Sequence, residues 1–184
     1  KLIKNLNETR SAEYRNEMIG FVFQSFNLIN FKNAMENVAL PLYYKGYSRK
    51  KRNNLAMDYL EKLGLKDWWH HYPNELSGGQ KQRISIARGL IRQPELLILD
   101  DSLSEVNEKT EQAIIKNIQA IRKNKTTIII THRLSAVANA QKVIVMDQGT
   151  ITEYGTPDAL LRQKGWYYQQ HLKQQLEDTQ HENI

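Results

Sequence analysis

The sequence predicts an α/β fold: a mainly parallel sheet with an inserted helical subdomain. Three observations lead there. Compact apolar runs rich in β-formers recur far apart, at "MIGFVFQ" (18–24), "LLIL" (96–99) and "TTIII" (126–130). "LLIL" does not alternate with polar residues, and "TTIII" reads as another buried strand, as in parallel sheets covered on both faces. Helical periodicity fills the intervals, and strand–helix alternation builds a parallel sheet.

Taken in order, "MIGFVFQ" is the first buried strand. "LPLYYKGYS" (40–48) reads as a turn. Ser48 stands where it can cap a helix whose Leu55, Tyr59, Leu60 and Leu63 share one face and which Gly64 ends. A second helix begins near Gly79, with Ile84, Ala87, Leu90 and Ile91 in one stripe, and Pro94 breaks it before "LLIL". The span from about 30 to 92 is mostly helical and reads as an insertion between strands. A helix over 108–123, with Ile114, Ile118 and Ile121 in register, leads to "TTIII". A short helical stretch, "LSAVANA", follows. "KVIVMD" and "TITEY" flank Gln148-Gly149 as a hairpin. Thr156-Pro157 starts another helix, Gly165 ends it, and the tail is amphipathic, then polar from about Gln174. There is no internal repeat and no low-complexity linker.

The 184 residues suffice for one domain with its own core. An apolar content of 40% with 25% charged residues fits a soluble globular chain. No apolar run approaches the ~18–20 residues of a membrane span, and the polar start "KLIKNLNETR" is expected to be no signal segment. Zero cysteines excludes disulfides, thiolate metal sites and thiol nucleophiles. The net charge of +6 decides little, because the densest basic run, Arg49 to Arg52, reads as the solvated start of a helix.

Chemistry gathers at strand and helix ends. "LSGGQKQR" (76–83) puts Ser77, Gly78 and Gly79 at a helix mouth, where free N–H groups and partial positive charge attract anions. Glycines let a phosphate approach the backbone, and the serine adds a donor. A simple N-cap followed by flexible glycines is the other reading. The strand "LLIL" ends in Asp100-Asp101, two carboxylates at the sheet end where ligands bind in open α/β folds. The first can serve Mg²⁺ through water and the second can orient an attacking water; a polar turn is the alternative. His132 and Gln24 follow or end other strands on the same rim, each weak alone.

In combination these motifs resemble the ATP-binding-cassette (ABC) ATPases: Q-loop, "LSGGQ" signature, Walker B and H-loop, in that order over nearly the whole chain. The resemblance implies a P-loop-NTPase-like sheet with ATP and Mg²⁺ as cofactors. It assigns Gln24 to the metal and to coupling nucleotide to the helical subdomain. It gives Ser77, Gly78, Gly79 and Gln80 to the γ-phosphate of ATP held by an opposite subunit. Asp100 goes to Mg²⁺, Asp101 to water polarisation, His132 to the γ-phosphate, and Ser104 and Asn107 to the D-loop. It implies a second ABC ATP-binding domain and a transmembrane domain or subunit as partners, no nucleic acid, and the cytoplasmic face of the cell membrane.

Three departures qualify the resemblance. The phosphate loop G-x-x-x-x-G-K-[ST] is absent, because no glycine is followed by lysine. In the family that loop lies upstream of the Q-loop, so the domain is expected to lack its Walker A segment, the lysine and the adenine-stacking aromatic residue. Asp101 stands where the family has Glu, one methylene longer. "SEVN" (104–107) ends in neutral Asn107 where the D-loop has Asp. The first half, "IGFVFQSFNLI…NVALPLYYKG", resembles the lipoprotein-release and macrolide-efflux group. The second half, "ILDDSLSEVNEKTE" onward, resembles multidrug-type exporters, with a seam near 90–98. Chimera and divergent natural chain both remain open.

The leading expectation is therefore the ATP-binding part of an exporter, driven by nucleotide-dependent dimerisation. One alternative is a non-catalytic fragment that lends only its signature to a partner. Another is a chromosome-maintenance ATPase, disfavoured because about fifty residues without heptads separate Gln24 from Ser77. Finally, the apolar content of Phe26–Tyr44 suggests contact with the membrane part of a transporter, against core packing as the rival.

Overall fold

The structure, a computed structural model, describes residues 7–181. The chain forms two compact units, 1–131 and 132–184. The first carries helix α1 (Glu8–Met18), strand β1 (Ile19–Val22), helices α2 (Ala34–Tyr44), α3 (Arg49–Lys62) and α4 (Gly78–Leu90), strand β2 (Leu96–Asp100), helix α5 (Glu108–Ile121) and strand β3 (Thr126–Ile130). The second carries β4 (Val143–Asp147), β5 (Thr150–Gly155), α6 (Pro157–Gln163) and α7 (Trp166–His181).

In the first unit β1, β2 and β3 form a parallel sheet in that order. Val22, Leu99 and Ile129 lie side by side across it, as do Gly20, Leu97 and Thr127. This face meets α4 at very short range. A Cβ on Gly89 would fall 2.7 Å from Val22 Cγ2, and one on Gly20 would fall 3.0 Å from the Gly89 carbonyl. Facing glycines thus let helix and strand approach closer than side chains permit. The first strand is shorter than expected. Met18 closes α1, whose first turn is capped by Asn7 accepting from the Arg10 amide at 2.9 Å, and Phe23 and Gln24 lie beyond β1.

The expectation of strands buried on both faces holds only in part. Leu97 and Leu99 are fully buried, whereas Leu96 and Ile98 are half-buried. Ile128 and Ile130 of β3 are 44% and 50% exposed. The reason is architectural: among the described residues no strand pairs with the outer edge of β3, and the face that carries Phe21, Ile98 and Ile128 stays open.

The stretch expected as a turn at 40–48 is mostly helix. Pro41 sits inside α2. Two features outweigh its missing donor. Asn33 and Glu36 form a reciprocal capping box at 2.9 and 3.1 Å. Ala34, Val38 and Leu42 bury one face completely. Fully buried Asn37 fixes the entry to the helix: its amide donates to the carbonyls of Ile29, Lys32 and Asn33 and its carbonyl accepts from the Ile29 amide. The turn comes only at Lys45 and Gly46, the latter at φ +75°. Ser48 occupies the N-cap of α3 as expected but makes no side-chain cap bond. The basic run after it is solvent-facing, with Lys51 over the Tyr47 ring and Arg52 over Tyr43. Gly64 ends this helix at φ +68°.

Arg122, just past α5, clasps the entrances of two strands. Its guanidinium donates to the carbonyls of Pro94 (2.8 Å), Glu95 (3.2 Å) and Thr126 (2.7 Å), and its Nε to Thr127 Oγ1 (2.9 Å). Burial pulls its pKa down from the ordinary arginine value, partly countered by Glu95. These four bonds offset the cost of burying the charge.

In the second unit Gln148 and Gly149, at φ +45° and +79°, make the two-residue hairpin turn between β4 and β5, as expected. Val143, Val145, Leu160 and Tyr167 form its core. The expected helix over "LSAVANA" is only a 3₁₀ turn at Ser135–Val137. Thr156 caps α6 through the Ala159 amide at 3.2 Å. The left-handed residue ending α6 is Lys164, at φ +54°, where Gly165 was expected. Gly165 is needed for space instead. The Glu153 carboxylate lies against it while accepting from the amides of Trp166 and Tyr167, which caps α7.

The clasp generates a prediction. Arg122→Met removes the guanidinium bonds to the Pro94 and Thr126 carbonyls and to Thr127 Oγ1, while the Glu95 carbonyl keeps the Thr126 amide, and should destabilise the chain by roughly 2–4 kcal/mol. Lys125→Ala breaks a more exposed pair, Lys125–Glu95 at 3.0 Å, and should cost under about 1 kcal/mol. Urea denaturation of both variants checks the contrast; equal losses would contradict it.

Candidate nucleotide site

Ser77 is the N-cap of α4, and its hydroxyl accepts from the Gln80 amide at 3.3 Å. The Gln80 side chain returns the bond, accepting from the Ser77 amide at 2.8 Å. This capping box accounts for two of the four sequence-derived phosphate ligands as structural elements in their own right. It leaves the amides of Gly78 and Gly79, the first two of the helix, without an intrahelical carbonyl. The mouth is thus a capped helix start whose first two amides have no intrahelical partner.

The glycines are also a packing requirement. A Cβ on Gly78 would come 3.0 Å from Glu105 Oε2; one on Gly79 would come 3.1 Å from Val106 Cγ1 and 3.2 Å from the Glu105 carbonyl. The loop after β2 is thus laid across the mouth of α4. Asp100 ends β2 opposite Ile130. Asp101 turns the chain back: it adopts φ +43°, its amide donates to the Ile130 carbonyl at 2.9 Å, and its carbonyl accepts from Ser104 Oγ at 3.1 Å. Left-handed backbone suits a short polar side chain such as Asp. Asn107 closes the loop by capping α5 through the Thr110 amide at 2.9 Å. Ser104 and Asn107 thus hold the shape of the segment read as the D-loop.

Gln24 lies two residues past β1, solvent-exposed in a bend. The sequence reading missed what fixes the stretch after it. Arg88 of α4 donates to the carbonyls of Phe26 (2.8 Å) and Asn27 (2.7 Å), and Asn27 takes a left-handed bend at φ +47°. Arg83, a turn earlier, donates to the Gly79 and Leu63 carbonyls. Burial pushes the pKa of both guanidinium groups down from the ordinary value. Charged residues on a helix with a strong apolar stripe were the available signal. His132 opens the second unit, exposed, two residues after β3.

The first unit therefore brings together Ser77, Gly78 and Gly79 with the loop 101–107. Asp100 and Asp101 are hard oxygen donors at the carboxyl end of a parallel strand. They fit Mg²⁺, which takes one or two carboxylates and completes its shell with water and substrate phosphates. Among the described residues no group of three or more His, Asp or Glu side chains gathers for an all-protein metal cage. ATP is fitted only in part, since the helix mouth offers donors but no glycine–lysine loop occurs in the 184 residues.

The ABC transporter family profile matches residues 2–104. The chain is 64% identical over 166 residues to a probable multidrug resistance ABC transporter ATP-binding/permease protein, YheI, of Bacillus subtilis, covering 86% of this chain and 28% of that protein. It is 42% identical over 156 residues to the methionine import ATP-binding protein MetN of Bartonella henselae, covering 83% and 45%. The chain thus spans less than half the length of these two relatives. A dimeric ATP-binding cassette solved in a post-hydrolysis state with ADP and Pi superposes with a TM-score of 0.76 at 32% identity, covering 83% of this chain and 68% of that one. A bacterial Atm1-family ABC exporter with ATP bound gives 0.78 at 30% identity over 94% of this chain and 30% of the other. With profile, relatives and fold in agreement, this chain belongs to the ABC transporter family and carries the α/β core of its nucleotide-binding domain.

Proposed function

We propose that the chain acts as a half-site in an exporter. Its helix mouth, Ser77-Gly78-Gly79, receives the γ-phosphate of ATP carried by a second cassette, and the pair closes when nucleotide is bound. The observation that carries this reading is the helix mouth itself: backbone donors at the start of α4 with no phosphate cradle among the 184 residues. Support for a second cassette comes from the dimeric relative with ADP and Pi. Support for export comes from the 64% identity to a probable multidrug resistance protein, higher than the 42% to a methionine importer.

The cradle for this chain's own nucleotide is then supplied by residues outside the 184. The outer edge of β3 and the open face bearing Phe21, Ile128 and Ile130 offer a place for a further strand and helix. With that cradle in place, Asp100 would hold Mg²⁺ through water, Asp101 would orient the attacking water and Gln24 would reach the γ-phosphate, the part the family resemblance also gives to His132. Mg²⁺, when bound, supplies charge stabilisation to the transferred phosphoryl group. Asp101 does its part poorly, being one methylene short of the family's Glu, and a misplacement of about 1 Å can cost roughly 10²-fold in rate. The left-handed backbone at this position accommodates Asp and penalises a longer side chain.

The transmembrane partner is placed against the segment that follows Gln24. Val38 and Leu42 belong to the core, as the rival reading held, but Phe31, Tyr43 and Tyr44 are 78%, 58% and 78% exposed. In the same stretch Phe26, Leu28 and Asn30 line a cavity of about 700 Å³ together with Tyr72, Asn74 and Lys81 among others. No helix among the described residues is long and apolar enough to cross a membrane. In this reading the membrane part is a separate domain or subunit, and this domain sits on the cytoplasmic face. No nucleic-acid partner is invoked: the helices between Gln24 and Ser77 run 11 and 14 residues, too short for the coiled coils of chromosome-maintenance ATPases.

Two outcomes follow. The isolated chain should show no micromolar binding of Mg-ATP by calorimetry and no phosphate release, and Asp101→Glu should rescue neither, because the N–H cradle that positions the phosphates is missing. Micromolar binding with turnover lost in His132→Ala would contradict this. Mixed with the ATP-binding part of YheI loaded with Mg²⁺ and a non-hydrolysable ATP analogue, the chain should associate, and Ser77→Arg should abolish the association. If Ser77→Arg associates like the parent, the half-site reading is wrong.

A further inference from the structure

Glu105 stands between the buried side chains of Leu103 and Val106, in the loop that crosses the mouth of α4. One residue covers both glycines. Its carboxylate oxygen would meet a Cβ on Gly78 at 3.0 Å, with its Cβ and carboxyl carbon at 3.7 Å, and its backbone carbonyl would meet a Cβ on Gly79 at 3.2 Å. The side chain is exposed, so its charge is held there by the loop rather than by burial. A carboxylate at the N-terminal end of a 13-residue helix is favourable by itself. The same charge repels an incoming phosphate.

We propose that Glu105 is an electrostatic gate on this half-site: by holding a negative charge against Gly78 it weakens, and makes salt-dependent, the engagement of the terminal phosphate of a nucleotide carried by a second cassette. The proposal rests on the reading that Ser77-Gly78-Gly79 receive that phosphate. Two effects follow from the geometry. First, like charges about 5 Å apart in a partly hydrated cleft repel enough to change affinity roughly five- to tenfold. Second, that repulsion fades as the screening length drops from about 30 Å at 0.01 M salt to about 3 Å at 1 M. A carboxylate that only braced the loop would show neither effect, since glutamine fills the same space.

The test is the association of the full chain with the ATP-binding part of YheI, loaded with Mg²⁺ and a non-hydrolysable ATP analogue, at about 0.01 M and about 1 M salt. Glu105→Gln should bind roughly five- to tenfold tighter than the parent at low salt and match it at high salt. Glu105→Lys should bind tighter still at low salt, giving the order Lys, Gln, Glu. Ser77→Arg should abolish binding throughout. If Ser77→Arg abolishes binding but Glu105→Gln equals the parent at low salt, or Glu105→Lys is the weakest, the gate is overturned while the half-site reading stands. If Ser77→Arg binds normally, the half-site reading fails and the gate falls with it. Glu105 is exposed, and a thermal melt of each variant matching the parent establishes that the comparison is between folded proteins.

Discussion

The mouth of α4 has no room for side chains, and the geometry of the first unit follows from that constraint. A Cβ added at Gly78 would lie 3.0 Å from the Glu105 carboxylate, and one at Gly79 would lie 3.1 Å from the Val106 side chain and 3.2 Å from the Glu105 carbonyl, closer than van der Waals contact. Within the loop 101–107, a Cβ at Gly79 would force the Glu105 backbone and the Val106 side chain to give, whereas one at Gly78 closely meets only the carboxylate of the exposed Glu105 side chain. That loop begins at the carboxyl end of β2, so its position against α4 also sets where Asp100 and Asp101 stand relative to the helix donors. At the other end of the same helix, Gly89 fits against Gly20 and Val22 of β1. One helix is thus fastened close at both ends by residues that lack a Cβ. Arg88 adds a third tie, to the segment that follows Gln24.

This arrangement connects packing to function. A helix mouth can serve as a phosphate site only if its first amides stay uncovered by side chains yet fixed in place. Capping by Ser77 and Gln80 fixes them, and the glycines add no Cβ of their own beside Glu105, which lies across both. The sheet tells a complementary story. Parallel strands normally lie under cover on both faces, but here the face bearing Phe21, Ile128 and Ile130 is half open. An apolar sheet face with an unpaired edge and a phosphate mouth without a cradle are two aspects of one proposal: both are completed by residues outside this chain.

Much of this was legible in the sequence, for identifiable reasons. The helix stripe Ile84, Ala87, Leu90 and Ile91 is buried because a 3.6-residue period leaves no other place for it. Gln148-Gly149 makes its hairpin because both residues accept positive φ. Other features depended on contacts between distant segments. The stretch 40–48 read as a turn, yet the burial of Ala34, Val38 and Leu42 and the Asn33–Glu36 capping box made its first part helical despite Pro41. "TTIII" looked buried because a β-rich apolar run does not disclose whether a neighbouring strand covers it. Lys164, not Gly165, took the left-handed position, and Gly165 instead leaves the space that the Glu153 carboxylate occupies. At the site, the residue types at the strand and helix ends were readable. The contact of Glu105 with the glycines was not, since it joins a loop to a helix start 26 and 27 positions earlier.

The central claim is that the donors of Gly78 and Gly79 act on a nucleotide this chain does not itself hold. Amide hydrogen exchange at those two positions tests it most directly. The account predicts that exchange at Gly78 and Gly79 slows only when both a second cassette and Mg²⁺ with nucleoside triphosphate are present, and that nucleotide alone leaves them unchanged. Protection of the two amides by Mg-ATP in the chain alone would contradict the account.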